Sequence, residues 1–488
     1  LVKQIPFANI GKYFSVLRLP NKINIQVSNN FNYPTMFNKP TKKSGRINRR
    51  QFVKNTALAT GGLMMTGNMA LAAKAHIDGD DTIKIGLIGC GGRGTGAVVQ
   101  ALLSNQNVKL VAMADAFRDN LDKCYATITN PEFKDWSREE PVNVSDRIVV
   151  PEEHKFAGFD AYQKVIPLAD VVILTTPPGF RPIHFEAAIR AGKHVFMEKP
   201  LAVDAPGIRK VLEVAEIAKK RQLNVVVGLQ RHYQTVYRKW VELLQEGAIG
   251  DIVTSRVYWN SDGVWVRPRT PGQTEMEYQM RNWYYFNWLC GDHINEQHIH
   301  NLDVGNWVKK SYPIRAHGMG GRQVRNGKEH GEIFDHHFVE FEYADGSRMF
   351  SQCRHIKGTA SRVSEAFHGT NGSAPKPGLI LTKSGHTLFK HDDRKDPNPY
   401  QVEHDELFAA ISKGEYKFAD VENGAKSTMT AILGRMATYS GQIIEWDDAI
   451  NSNLSLAPQT YAWDANPPIL PDEKGYYPIP TPGKTKVI

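Results

Sequence analysis

Cysteine is scarce in this 488-residue chain. Cys90, Cys124, Cys290 and Cys353 are the only four, and no pair has C-x-x-C spacing. That spacing excludes a zinc-ribbon or thioredoxin-type motif and gives no sign of a disulfide framework, so four buried thiols are expected. A long, strongly apolar run is also missing. The stretch Thr56–Ala72 is interrupted by Gly61, Gly62, Thr66, Gly67 and Asn68, short of the roughly 20 strongly apolar residues a membrane span requires. There is no low-complexity tract and no internal repeat. Acidic residues are absent before Asp78, although twelve of the 60 basic residues precede residue 76. The remaining 48 basic residues face all 51 acidic ones, so the formal net charge of +9 belongs to the first 75 residues. Such a balance gives no support to a nucleic-acid or anionic-membrane surface.

The basic, weakly apolar start has its own pattern. Arg49-Arg50 is followed by Gln51-Phe52-Val53-Lys54, then the apolar stretch, then Ala73-Lys74-Ala75 as an A-x-A site. This resembles a twin-arginine export signal over residues 36–75. The resemblance implies a periplasmic protein exported folded, with no membrane span in its mature form. Residues 1–35, without periodicity and rich in Asn, are expected to be an over-called start.

What organises the rest is the stretch Ile83–Asp115. A β-rich apolar segment runs into Gly89-Cys90-Gly91-Gly92-Arg93-Gly94, and an Ala/Val/Leu helix pattern follows. A second apolar strand then ends in Asp115. Gly89, Gly91 and Gly94 form G-x-G-x-x-G, with each glycine serving the turn, the close approach of a pyrophosphate, or helix–strand packing. The free N–H groups of the helix N-terminus, with Gly92 and Arg93 in the loop, would face the phosphates. Asp115 can accept from the adenine-ribose hydroxyls and repel a 2′-phosphate, which favours NAD over NADP. Arg118 is close enough to swing to such a phosphate, which leaves NADP open. Further strands are expected at 169–175, 193–197 and 224–229, with helices at 118–128, 183–191 and 203–221. The turn Thr176-Pro177-Pro178 follows an apolar strand, and Glu198-Lys199-Pro200 follows the next. Ligands of doubly wound sheets sit at such strand ends. Residues 129–155 read as a polar surface insertion.

The set G-x-G-x-x-G, T-P-P, AGKHVFMEKPLAVD and VVVGLQRHY resembles the glucose–fructose oxidoreductase / inositol dehydrogenase / rhizopine-catabolism (Gfo/Idh/MocA) family over residues 83 to about 450. The resemblance implies a Rossmann α/β domain, a doubly wound parallel sheet over 81–230. An α+β domain follows over 231–456, with a large, open, mostly antiparallel sheet, and then a Pro-rich tail over 457–488. It implies a cofactor site of Gly89, Gly91, Gly92, Arg93, Gly94, Asp115, Thr176, Pro177, Pro178, Glu198 and Lys199. It also implies a homo-oligomer formed through the open sheet. Lys199 would stand beside nicotinamide and substrate, where burial next to a cationic ring lets a lysine share the proton of a sugar hydroxyl.

The second chemical centre lies at 288–307, WLCGDHINEQHIHNLDVGNW. Glu296, His300, Asp303 and Trp307 have the i, i+4, i+7, i+11 spacing of one helical face. The family's Asp-x-x-x-His-x-x-Asp pattern carries an acid/base role to His300. Asp303 is the following acid, and Glu296 stands where the family has Asp; both would orient His300. A metal site from Asp292, His293, Glu296, His298 and His300 is the competing reading. His298 and His300 would point about 200° apart on a helix, so no metal is expected. A merely structural helix is the other reading, opposed by the cost of burying so many polar groups. Arg281, Asn282, Trp283 and Tyr284, with His298, are expected to meet substrate, although a plain aromatic core explains the same segment. Strands are also expected at 252–259, 334–343, 347–355 and 362–368, and helices at 403–412 and 424–439.

These residues imply an exported NAD(P)-dependent oxidoreductase moving hydride between nicotinamide and a secondary hydroxyl of a sugar or glycoside. An NAD-dependent glycosidase or lyase, working by oxidation, elimination and reduction, is the alternative. The Tyr-Pro-Thr-His segment of that branch is not matched by Ser311-Tyr312-Pro313-Ile314-Arg315. A non-catalytic sugar-binding protein is a third reading, opposed by the presence of Lys199 and His300.

Overall fold

A computed structural model of the chain describes residues 81–134 and 140–488. The export signal and the residues before it lie outside the described residues. The first domain is a six-stranded parallel sheet. Its strands are β1 (Ile83–Ile88), β2 (Val108–Asp115), β3 (Lys155–Ala157), β4 (Val171–Leu174), β5 (His194–Met197) and β6 (Val225–Val227). The order is β3-β2-β1-β4-β5-β6, every pair parallel. The central strands are apolar on both faces, as a sheet covered on both sides requires. The covering helices include α1 (Gly92–Leu102), α2 (Arg118–Ile128), α3 (Ala161–Val165), α4 (Arg181–Arg190) and α5 (Ala205–Lys220). Strand order reverses between β1 and β4, which opens a crevice at their C-terminal ends.

The 129–155 segment departs from the expected surface insertion. Val144 and Val150 are buried in the core, and Ile148 bridges to Leu110 ahead of the edge strand β3. Val142, Val144, Ile148 and Val150, set among polar residues, give it an apolar side that packs on the core.

The second domain adds α6 (Thr235–Gln245) and strand β7 (Ile252–Ser261), then helices α7 (Glu275–Arg281), α8 (His293–Glu296) and α9 (Ile299–Lys309). Strands β8 (Arg315–Gly321), β9 (His336–Glu342), β10 (Arg348–His355), β11 (Arg362–Gly369), β12 (Gly372–Lys376), β13 (Leu379–Thr382) and β14 (Thr387–Lys390) follow. After them come α10 (Pro399–Ser412), α11 (Val421–Ser440) and the short β15 (Ile444–Glu445). The nine-stranded sheet runs β14-β13-β12-β11-β7-β10-β9-β8-β15. Its pairs are antiparallel except β7 with β10. This is the expected open, mostly antiparallel sheet. Burial alternates along β9 and β10, the period of a sheet with one covered face. On the other face Met319 and Phe338, paired across β8 and β9, are exposed.

Helix α11 joins the domains. Nearly all its residues are buried, the mark of a helix packed on all sides. It lies between α5 of the first domain and the large sheet. Helix α10 returns to the first domain and packs on α1. These two helices hold the crevice of the parallel sheet against the second domain. No helix among the described residues is long and apolar enough to cross a membrane. All four cysteines are buried and free.

Candidate active site

A cleft of about 670 Å³ lies where the crevice of the parallel sheet meets the second domain. One end is built by the glycine loop. Gly89 has φ +101°, and a Cβ there would stand 2.6 Å from Thr176 N. A Cβ on Gly94 would come within 2.0 Å of Gly89 O, so α1 can press on β1 only through glycine. Gly91 and Gly92 are the opposite case: a Cβ on either meets nothing within 4 Å. Open space therefore faces the first turn of α1, where no side chain caps the N–H groups. Room and uncapped donors together fit a pyrophosphate. The turn after β4 is locked to this loop by Thr175 Oγ1, which donates to Gly89 O at 2.6 Å. Buried Arg181 holds the same turn, donating to Leu174 O at 2.7 Å and Thr176 O at 2.6 Å. Thr176 Oγ1 is 3.1 Å from His184 Nδ1. Burial, then the Arg181 charge, drives His184 down to about 3, so the ring in that bond is neutral. Pro177 and Pro178 line the cleft beside Thr176.

Asp115 lines the cleft at the end of β2. Its carboxylate accepts from Cys90 N at 2.7 Å, Phe117 N at 2.9 Å and Asn120 Nδ2 at 3.3 Å. Burial raises its pKa and the two backbone donors oppose that. Two carboxylate oxygens offer about four acceptor positions, so a ribose hydroxyl still finds one. Arg118 is not at this end. It is exposed, paired with Asp122 at 2.8 Å and with Glu152, and does not line the cleft. Asp119 lines it instead, bound by Arg281 at 3.0 Å.

Arg93 is committed to protein partners. It donates to Glu198 at 2.5 Å, Gln100 at 2.8 Å and Glu403 at 3.2 Å. Glu198 is buried, and a Cβ on Gly228 would meet its carboxylate at 2.8 Å. The Arg93–Glu198 pair ties α1 to the end of β5 and so fixes the residue that follows, Lys199.

Lys199 Nζ crosses the cleft to the second domain. It donates to Glu296 O at 2.5 Å and lies 3.1 Å from Glu296 Oε1. His300 lines the same wall, its ring stacked at 5.9 Å on Trp259. Its Nδ1 is buried without a hydrogen-bond partner. Burial, followed by the Lys199 and Arg231 charges, pulls its pKa well below the ordinary histidine value. A neutral imidazole beside an ammonium–carboxylate pair can take a proton from a hydroxyl held between them.

The expected single helical face is broken. Helix α8 ends at Glu296 and α9 begins at Ile299. The break brings Glu296 to Lys199 while His300 stays in the first turn of α9. Asp303 does not reach His300. It is buried outside the cleft lining and accepts from His232 Nε2 at 2.7 Å, Asn423 Nδ2 at 2.9 Å and Ser427 Oγ at 2.8 Å. Trp307 stacks on His232 at 4.0 Å. His232 belongs to the VVVGLQRHY segment, whose histidine was the available signal for this pairing.

The residues expected at the substrate divide. Trp283 lines the cleft, and so does Arg281, but Arg281 lies at the Asp119 end, its guanidinium 4.0 Å from the Phe117 ring centroid. Asn282 is fully buried and bonded to Glu329 O at 2.7 Å. Tyr284 donates from behind to Gln297 Oε1 at 3.0 Å, and Gln297 lines the cleft. His298 is buried, 2.8 Å from Ser351 Oγ, and takes no part in the lining. Periodicity could not separate these neighbours, because a short helix, a 3-10 turn and two breaks follow one another there. Gln230, Trp259, Trp265 and Arg267 also line the cleft. They lie just after β6, on β7 and on the loop after it, where no local motif marks them.

Among the described residues, Asp292, His293 and His337 place one possible ligand atom each within 4.8 Å of one another. The Asp292 carboxylate there already accepts from Phe334 N at 2.9 Å, Tyr439 OH at 2.5 Å and the His293 ring at 2.8 Å. None of the three residues lines the cleft.

Comparison with known proteins points to the same fold and to an oxidoreductase. Residues 83–229 match the family model described as Oxidoreductase family, NAD-binding Rossmann fold (GFO_IDH_MocA). The chain is 26% identical over 361 residues to inositol 2-dehydrogenase of Cereibacter sphaeroides, covering 72% of this chain and 92% of that protein. Two solved structures share the fold. Scyllo-inositol dehydrogenase of Lactobacillus casei, with bound NAD(H) and scyllo-inositol, superposes with a TM-score of 0.55 at 18% identity, covering 75% of this chain and 99% of that one. Aldose-aldose oxidoreductase of Caulobacter crescentus, with glycerol, also gives 0.55, at 16% identity and the same two coverages.

Proposed function

For this chain, an NAD(P)-dependent oxidoreductase of the Gfo/Idh/MocA type, we propose hydride transfer between nicotinamide and a secondary hydroxyl of a sugar, inositol or glycoside. The observation that carries the reading is the meeting of Lys199 with Glu296 next to His300, in one cleft with the glycine loop. When bound, the nicotinamide supplies C4 as hydride acceptor or donor. The loop amides and Asp115 bind the dinucleotide. Lys199 hydrogen-bonds the substrate oxygen, with Glu296 fixing its ammonium. His300, neutral, takes the hydroxyl proton on oxidation and returns it on reduction. Named relatives that act on inositols, and a neighbour named for aldoses, support this substrate class.

The test is nicotinamide reduction by purified protein offered inositols, aldoses and methyl glycosides. No absorbance change with any of them, in a protein shown by calorimetry to bind NAD, overturns the reading. Redox-neutral cleavage of a glycoside, without net NADH, would favour the oxidise–eliminate–reduce cycle instead.

Two further elements belong to the proposal. The Arg49-Arg50 leader sends the folded protein to the periplasm, where no free NAD pool exists, so the cofactor is loaded beforehand and recycled in place. Replacing both arginines by lysine should leave the protein in the cytoplasm; processed protein outside the cell would show the leader misread. The exposed apolar face of the large sheet makes a homo-oligomer contact. Light scattering should return a multiple of the chain mass, and a monomer at micromolar concentration rejects this contact.

A further inference from the structure

Four arginines line the cleft, and among the described residues one guanidinium meets no acid and no carbonyl. Arg93 is matched by Glu198 and Glu403, and Arg281 by Asp119 and Glu277. Arg181 is spent on the carbonyls of Leu174 and Thr176. Arg267 stands apart. It is exposed on the loop between β7 and α7 and lines the cleft. Its guanidinium lies 5.2 Å from the Trp265 ring centroid. Among the described residues no carboxylate or side-chain hydrogen bond answers it.

The loop that carries it is firmly held. Arg267 N donates to Asn282 Oδ1 at 2.9 Å, and buried Asn282 is itself fixed by Glu329 O. Two residues on, Arg269 pairs with Glu275 and covers the Tyr278 ring at 4.0 Å. Beside Arg267, Trp265 and Trp283 meet edge to face with centroids 5.8 Å apart. These rings give flat apolar surface of the kind a sugar's CH face packs on. Of the charged groups that line the cleft, Lys199 and Glu296 offset each other, and so do Arg281 and Asp119; among the described residues no acid offsets the Arg267 cation. A guanidinium stacked on an indole keeps its in-plane N–H groups free, in the fork that fits a carboxylate.

We propose that the substrate is an anionic sugar, a uronic acid or acidic glycoside, whose carboxylate is bound by Arg267 while Trp265 and Trp283 cover its ring. This rests on the oxidoreductase reading above. Lys199 and His300 hold the reacting hydroxyl, so the carboxylate sits at another position of the same molecule. Asn282 acts as a positioning residue, through the backbone of Arg267.

The experiment uses matched pairs on the NAD-loaded protein: methyl glucoside against methyl glucuronide, and methyl galactoside against methyl galacturonide. Glucose 6-sulfate is the second oxyanion source. The acid of each pair should have the higher kcat/KM. Arg267→Gln should lower it on the order of 10–100-fold, lower that of the neutral partner far less, and abolish the salt dependence seen only with the acid. Equal loss on both members overturns the proposal, and so does a sulfate ester preferred to both uronides. Weakened NAD binding in Arg267→Gln with unchanged substrate preference also overturns it, because the guanidinium would then serve the dinucleotide. If no sugar reduces nicotinamide, tryptophan fluorescence separates the two failures. A saturable quench by uronides that Arg267→Gln removes upholds this inference while the oxidoreductase reading falls. A quench that is absent, or indifferent to Arg267→Gln, sinks the inference itself.

Discussion

Lys199 and Glu296 come from different domains and meet with Nζ 3.1 Å from Oε1 and 2.5 Å from the backbone carbonyl of the same glutamate. The contact bridges the cleft, and His300 lines the same cleft. An ion pair at a partly buried site gains more than one in open water, because the surrounding dielectric is lower. It also keeps the lysine aimed at a fixed point, which a flexible four-carbon stem does not do unaided.

If Lys199 and His300 act on one proton, as proposed, their losses should overlap. His300→Ala should lower kcat by about 10²–10⁴-fold and leave NAD affinity intact. Lys199→Ala should cost a similar amount, with some loss of cofactor binding. The double variant should be far less than multiplicatively worse. Single-turnover absorbance checks this, and near-normal hydride transfer in His300→Ala would pass the role to Glu296. Chelator should not change the rate.

The glycine loop separates folding from binding. In Gly91→Ala the new Cβ meets no protein atom, so thermal stability should be unchanged while NAD affinity drops, the methyl occupying the phosphate's place. In Gly94→Ala the Cβ would stand 2.0 Å from Gly89 O, and overpacking should remove about 1–3 kcal/mol of stability as well. Melting curves and calorimetry on the two variants decide it. An equally destabilised Gly91→Ala would refute the open cradle.

Cofactor choice follows from the acids at the end of β2. Asp115 and Asp119 both line that end, and Arg118 is held away by Asp122 and Glu152. Calorimetry should show NAD binding tighter than NADP. Asp115→Ala should narrow the gap, and equal affinity in the unaltered protein would overturn the assignment.

Buried histidines give stability a defined dependence on pH. Burial lowers His184 to about 3 and His293 to about 4, and pulls His298, His300 and His404 well below the ordinary value. An unfolded histidine titrates near 6.5, so below that pH the unfolded chain binds protons that the folded one refuses. The contribution is complete above about pH 6.5 and is lost as pH falls toward the folded values. Tm should therefore decline steadily from about pH 7 to about pH 4. The acid limb of kcat/KM for oxidation should likewise lie below the usual histidine range if His300 is the base. A flat Tm across that interval would contradict the burial of these rings in neutral form.

Sequence by itself determined the first domain and its ligand. Strand, glycine loop, helix and acid are local and contiguous in Ile83–Asp115, and backbone sterics at Gly89 and Gly94 leave little freedom in how they fold. The strand ends carrying Thr176 and Lys199 were legible for the same reason, since a parallel sheet fixes where its strands finish. Only the tertiary structure decided the second half of the site. Glu296, His300 and Asp303 look like one helical face at 3.6-residue spacing, but the helix breaks after Glu296. Cross-domain partners then choose each side chain's place, Lys199 for Glu296 and His232 for Asp303. The same holds for Trp259, Trp265 and Arg267, which reach the cleft from a sheet strand and its following loop. Contacts between residues so far apart in sequence depend on how α11 docks the two domains, and no local pattern of hydrophobicity encodes that docking.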